Sequence, residues 1–219
     1  MDKFIHRGIT LEYEALGTGI PFVFLHGMGG SVEQIKAACE PLAGVRLISL
    51  NQQGHGNSGV NWDRYDFDRL GDDAIALLDY LGIEKAVFGG ISMGAAVSLN
   101  VAVRYPGRVS QLLLIRNAWT DRPMPEHVRT AYRDLGHALE SRRIEAFYDS
   151  EGWQIVKESS LYTRDAFLKT FEDSSCVKYW QKYLILPNKT PISDREALAN
   201  LTMPVTILAC RNDLCHPYE

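Results

Sequence analysis

Apolar and polar positions alternate through Ile9, Leu11, Tyr13 and Ala15, the two-residue period of a half-exposed strand. Gly17-Thr18-Gly19 ends that pattern as a turn. Short continuous apolar runs follow at 21–25, 45–50, 86–89, 109–115 and 205–210, and such runs predict strands covered on both faces. Between them the period changes. Phe67, Leu70, Ala74, Leu77, Leu78 and Leu81 recur at spacings of three and four, the stripe of an amphipathic helix. Asp66 and Asp68 stand at its start, where carboxylates suit the positive end of the helix dipole, and Gly82 supplies a stop. Residues 92–105 predict a second helix, small and apolar on nearly every side and therefore buried, ended by Pro106-Gly107. Strands alternating with helices predict an α/β protein with a mostly parallel, doubly wound sheet. From Pro123 to Val205 the strand signal vanishes, and 128–139, 144–147 and 164–171 read as helices. The expected organisation is a first core part at 1–121, a helical cap at 122–195 and a return to the core at 196–219.

Composition narrows the classes. At 219 residues, 46% hydrophobic and 23% charged, the chain can bury a substantial core. The net charge of -4 argues against a nucleic-acid partner. No apolar run approaches the roughly 20 residues of a membrane span, and residues 1–7 contain no apolar run, so a cytoplasmic protein without a membrane partner is expected. The four cysteines, Cys39, Cys176, Cys210 and Cys215, include no CxxC pair. Cys210 and Cys215 with His216 invite a metal-site reading, but zinc sites show paired close spacings on both sides, and free thiols fit better. The acidic run Asp63, Asp66, Asp68, Asp72 and Asp73 reads as a solvated helix start. Neither metal nor cofactor is expected.

The chemistry concentrates in two glycine-rich turns. Gly90-Ile91-Ser92-Met93-Gly94 has the form GxSxG, a pattern that arises by chance in about one chain in ten of this size. Here it follows a predicted strand and opens a predicted helix, the context the motif needs. A strand that turns sharply into a helix forces the turn residue into a strained conformation, and glycines on either side allow the close backbone approach. Ser92 would then project from the carboxyl end of the sheet. The plainer alternative is a tight turn without chemistry. His26-Gly27-Met28-Gly29-Gly30 follows the strand at 21–25 and builds a loop whose amides can face a developing oxyanion. A phosphate cradle is the rival, but neither GxxxxGK[ST] nor GxGxxG is present. His26 and Gly27 are read as ordering this loop.

With these motifs in this order, and with Gly54-His55-Gly56-Asn57-Ser58 after the strand at 45–50, the chain resembles the α/β-hydrolase superfamily over residues 1–120 and 200–219. The likeness is to the branch of lactonases, esterases, cofactor-free haloperoxidases and carbon–carbon bond hydrolases. It implies that Ser92 is a nucleophile, that the backbone N–H groups of Met28 and Met93 form an oxyanion hole, and that Asp213 is the acid. It also implies a small-molecule acyl substrate such as an ester or lactone.

Two departures stand out. Asn51-Gln52-Gln53 occupies a stretch where the family often has an acidic residue and an arginine, which predicts altered local packing. The family's histidine follows one more strand beyond the acid, and none of the six histidines matches that position. His216, three residues past Asp213, matches a recurring His-Pro feature of the acid loop. The expectation is therefore a site without its base, an Asp213 without a histidine partner, and a sheet lacking its last strand and helix. The 205–210 strand would be an exposed edge inviting self-association. A noncatalytic small-molecule binder and an interaction protein on the same fold are the alternatives. Trp119, Trp153, Tyr162, Trp180 and Tyr183 could line a pocket or form the cap's own core.

Overall fold

The computed structural model describes residues 1–38 and 42–216; Cys39 and the Pro217 of the His-Pro pair lie outside them. Seven strands are seen: β1 (Asp2–His6), β2 (Ile9–Leu16), β3 (Ile20–Leu25), β4 (Val45–Asn51), β5 (Ala86–Ile91), β6 (Val109–Ile115) and β7 (Val205–Leu208). They form one sheet in the order β1-β2-β4-β3-β5-β6-β7. β1 and β2 pair antiparallel, as do β2 and β4, and every later pairing is parallel. The mostly parallel α/β sheet is as the patterning predicts. β1 went unread because its five residues carry no clear period; the left-handed pair Arg7 (φ 50°) and Gly8 (φ 79°) folds it back as a hairpin.

Helix α1 (Val32–Ala38) follows β3, α2 (Phe67–Tyr80) precedes β5, and α3 (Met93–Arg104) links β5 to β6. The predicted stripe of α2 is the buried one, with Phe67, Leu70, Ala74, Leu77 and Leu78 at 0–1% exposure. Asp66 caps its start by accepting from the Arg69 amide at 2.8 Å, and Gly82 just past its end takes φ 66°. All residues of α3 from Met93 to Ala102 are buried, because the helix packs across β3, β5 and β6 with α2 against its other side. Burying Met93, Val97, Leu99 and Val101, each worth about 1.5–3 kcal/mol, is what clamps the elbow before α3 to the sheet.

β2 departs from simple alternation. Glu12, on its polar face, is only 3% exposed. The loop after β4 folds over it, and its carboxylate accepts from the Asn57 amide (2.9 Å), the Asn57 side chain (3.0 Å) and the Asn51 side chain (3.2 Å).

After β6 the chain forms α4 (Glu126–Ser141), α5 (Ile144–Tyr148), α6 (Glu151–Lys157), α7 (Leu161–Lys169), α8 (Ser174–Lys178) and α9 (Gln181–Ile185) before returning in β7. Of these, α6, α8 and α9 are too short to show a period. Serine and aspartate caps define α6 and α8 instead: Ser150 accepts from Trp153, and Asp173 from Ser175 and Cys176. Among the described residues β1 and β7 are the two edge strands, and β7 leaves Val205, Ile207 and Leu208 exposed.

Candidate active site

Ser92 lies between β5 and α3 with φ 56° and ψ -115°, a left-handed backbone that costs a non-glycine residue roughly 1–2 kcal/mol. The surrounding contacts hold it there. The Ser92 amide donates to Ile115 O on β6 at 2.9 Å, and Ser92 O accepts from the Ala96 amide in the first turn of α3. The flanking glycines are sterically required: a Cβ on Gly94 would strike the Leu25 carbonyl at the end of β3, and one on Gly90 would strike the Gly94 backbone. The serine of the GxSxG motif thus stands where β5, β3 and α3 converge.

The imidazole of His216 sits against it. His216 Nε2 is 2.8 Å from Ser92 Oγ, and His216 Nδ1 is 2.8 Å from Asp213 Oδ1. A carboxylate can only accept, so in the neutral ring the proton sits on Nδ1 and Nε2 is left to accept from the serine hydroxyl. This overturns the expectation of an Asp213 without a histidine partner. The reason is a local turn that spacing alone did not reveal. Asn212 takes φ 58°, the Cys215 amide donates back to Asp213 Oδ1 at 3.2 Å, and the three-residue separation brings His216 over the Asp213 carboxylate. His216 is 8% exposed, held between Ser92 and Asp213.

Asp213 has a further partner. Arg116, just past β6, places Nε 2.7 Å and Nη2 2.5 Å from Asp213 Oδ2. Burial pushes the Asp213 carboxyl up, but His216 and Arg116 outweigh it and hold the group below its ordinary value. Sequence reading missed Arg116. The available signal was a lone arginine directly after an apolar strand, at the carboxyl end of a parallel sheet where ligands bind.

The His26–Gly30 loop closes the other side. His26 Nδ1 donates to Gly27 O at 2.8 Å and its Nε2 accepts from the Gln52 amide at 3.2 Å. Burial drives His26 down to about 4, so the ring is neutral. His55 Nε2 donates to Met28 O at 2.7 Å, tying the Gly54–Ser58 loop to Met28. Met93 is the first residue of α3, where backbone N–H groups have no partner within the helix. In the Asn51-Gln52-Gln53 stretch, Asn51 accepts from the Val32 amide, Gln52 donates to His26 O, and Gln53 donates to Asp73. Amides here fill the buried positions without charge.

A cavity of about 420 Å³ opens over Ser92. Met28, Arg116, Cys215 and His216 form its floor, and Tyr132, Phe167 and Tyr183 from α4, α7 and α9 line it from the helical segment. Tyr132 stacks on Phe167 at 5.0 Å and on Tyr183 at 6.1 Å. The five aromatic candidates therefore divide. Tyr162 and Tyr183 line the cavity. Trp119 packs edge-on to Phe67 at 5.1 Å, Trp153 edge-on to Phe147 at 5.8 Å, and Trp180 against the core. Among the described residues no group of three or more His, Cys, Asp or Glu is placed to hold a metal. No helix among them is long and apolar enough to cross a membrane.

The alpha/beta hydrolase fold family matches residues 20–141, more than half of the chain, and the chain belongs to that family. It is 28% identical over 219 residues to AB hydrolase superfamily protein YisY of Bacillus subtilis, covering 96% of this chain and 81% of that protein. It is 46% identical over 114 residues to the dihydrolipoyllysine-residue acetyltransferase component of the acetoin cleaving system of Pseudomonas putida, covering 51% of this chain and 31% of that one. Among solved structures, the enol-lactonase of Burkholderia xenovorans LB400 superposes with a TM-score of 0.75 at 18% identity, covering 99% of this chain and 84% of that one. The chain is a hydrolase of the alpha/beta fold family, whose members similar to it include enzymes named as esterases and an enol-lactonase.

Proposed function

We propose that the protein is a serine hydrolase of small acyl substrates, esters or lactones, with Ser92 as nucleophile, His216 as general base and Asp213 as its orienting acid. The observation that carries this reading is the continuous hydrogen-bonded line from Asp213 through His216 to Ser92, both links at 2.8 Å. A serine hydroxyl is a weak nucleophile until a neighbouring base takes its proton. In this reading His216 Nε2 removes that proton as Oγ attacks the acyl carbon, and Asp213 holds the ring and stabilises the imidazolium that forms. The amides of Met28 and Met93 hold the developing oxyanion, their loop kept in place by His26, Gly27 and His55. His216 returns the proton to the leaving alkoxide. A water activated by the same imidazole then frees the acyl group. The helices of 122–195 act as a cap that shapes the acyl pocket.

The test is hydrolysis of p-nitrophenyl acetate and butyrate by the purified protein, with folding checked by circular dichroism. Ser92→Ala and His216→Gln should each lower kcat by about 10³-fold or more. Full activity in Ser92→Ala would refute the nucleophile. Activity surviving in His216→Gln, with Ser92→Ala dead, would refute His216 as the base.

A further inference from the structure

Arg116 stands out because a left-handed backbone and a buried carboxylate meet in one residue. Its φ is 48°, a conformation that glycine would take without strain. Its amide donates to Leu208 O on β7 at 2.7 Å, while the preceding carbonyl, Ile115 O, accepts from the Ser92 amide. The end of β6 is thus fixed between the nucleophile's turn and the strand that leads to the acid. From that anchored point the guanidinium reaches Asp213 with two nitrogens, both on Oδ2. Asp213 Oδ1 is left to His216 Nδ1 and the Cys215 amide. The two carboxylate oxygens are therefore divided between separate partners, and the Asp213 side chain is only 3% exposed. The far side of the guanidinium faces the Tyr162 ring at 4.5 Å, in the first turn of α7.

We propose that Arg116 is a positioning residue for hydrolysis, one that locks the rotamer of Asp213 and balances its charge. The proposal rests on the serine-hydrolase reading. Without the fork on Oδ2, the carboxylate could rotate about its Cβ–Cγ bond and misalign the His216 ring. A fixed ring matters because a misplacement of about 1 Å can cost roughly 100-fold in rate. The charge effect runs the other way. Arg116 neutralises part of Asp213, so less of that negative charge acts on the imidazolium. The other titratable or charged groups against this pair or lining the same cavity include Cys215, Tyr132 hydrogen-bonded to Cys215, Tyr162, Asp165, Lys169 and Asp173. Of these only Lys169 carries a positive charge, and the guanidinium in contact with Asp213 is that of Arg116. Loss of Arg116 should therefore slow turnover and also make protonation of the base easier.

The experiment measures kcat and KM for a neutral p-nitrophenyl ester between pH 5 and 9, with Arg116→Gln, Arg116→Lys and the unaltered protein compared. Arg116→Gln should lose about 10- to 100-fold in kcat with KM changed less than about threefold. The acid limb of its kcat/KM profile should move up by about one pH unit. Arg116→Lys keeps the charge but not the planar fork, so it should restore the limb while recovering only part of kcat. Unchanged kcat and profile in Arg116→Gln would overturn the proposal. So would a change confined to KM, which would make Arg116 a substrate contact, or a fall in kcat with the limb unmoved, which would make its role purely structural. If Arg116→Gln does not fold, the lysine variant decides: wild-type kcat there overturns the requirement for a fork. Ser92→Ala and His216→Gln in the same assay report on the underlying hydrolase reading alone, so the two failures remain distinct.

Discussion

Replacing Lys182 by methionine should stabilise the protein near neutral pH, although it deletes a hydrogen bond. Lys182 on α9 is 0% exposed, its Nζ donating to Gly54 O at 3.1 Å and lying 3.9 Å from Cys176 Sγ. Neither partner is an anion at neutral pH: the Cys176 thiol is pushed up by burial. Burial accordingly lowers the Lys182 amine from 10.5 to about 8. Below pH 8 the amine is charged in both the folded and unfolded states, and the folded state carries the full penalty. A shift of that size corresponds to about 3 kcal/mol against folding at pH 7. Between the folded and unfolded values the unfolded chain holds one more proton, so stability rises with pH, by roughly 2 kcal/mol between pH 7 and 9.5. Methionine removes this penalty with little change in volume, at the expense of a Gly54 carbonyl without its donor, which costs about 1–3 kcal/mol. The net expectation is a gain of about 0–2 kcal/mol at pH 7. The sharper readout is pH dependence. Urea unfolding at pH 7 and 9.5 should show the advantage of Lys182→Met shrinking by roughly 2 kcal/mol. Ionising tyrosines and cysteines elsewhere affect both proteins alike and largely cancel in the difference. A difference that does not change with pH, or a variant less stable by more than about 2 kcal/mol at pH 7, would refute the account of Lys182 as a buried cation whose desolvation outweighs the distant charge of Asp173.

Glu12→Gln should destabilise by about 1–3 kcal/mol at pH 7, because a carboxylate holding three hydrogen bonds becomes an amide that must turn one NH₂ toward donors. Burial pushes Glu12 up, but the bonds from Asn57 and Asn51 and the charge of Lys3 hold it below 4.5, so its contribution is present above that pH and fades in acid. Denaturation at pH 7 and 3.5 checks both points. Gly94→Ala should cost about 3 kcal/mol or prevent folding, since the new methyl meets the Leu25 carbonyl and neither backbone can yield; thermal melts read this out. Phe147→Ala, at 0% exposure in the helical segment, should lose about 3–5 kcal/mol with ester preference intact. Tyr132→Leu, on the cavity wall, should instead change the kcat/KM ratio of aryl to alkyl esters by about tenfold.

What the sequence determined by itself was everything governed by short-range repetition and strict sterics. The central strands have to be apolar because both faces are covered, so β3, β4, β5 and β6 were visible as runs, and β7 showed the same run although it lies exposed at the sheet edge. The α2 stripe repeats every turn, and its Asp66 cap and Gly82 stop are local signals. Gly90 and Gly94 are legible for the same reason: no side chain fits where the helix meets the strands, so the turn around Ser92 announces itself. Tertiary structure decided what depends on long-range approach. Glu12 looked like a solvent-facing residue until the Asn51–Ser58 loop folded over it. Arg116 and Asp213 lie 97 residues apart, and only the pairing of β6 with β7 brings them together. His216 is the clearest case. Its three-residue offset from Asp213 was plain, yet Ser92 stands 124 residues away. A one-dimensional pattern gives the separation between two side chains along the chain. Whether an imidazole faces a hydroxyl depends on the left-handed turn at Asn212 and on the sheet that sets both loops at one end.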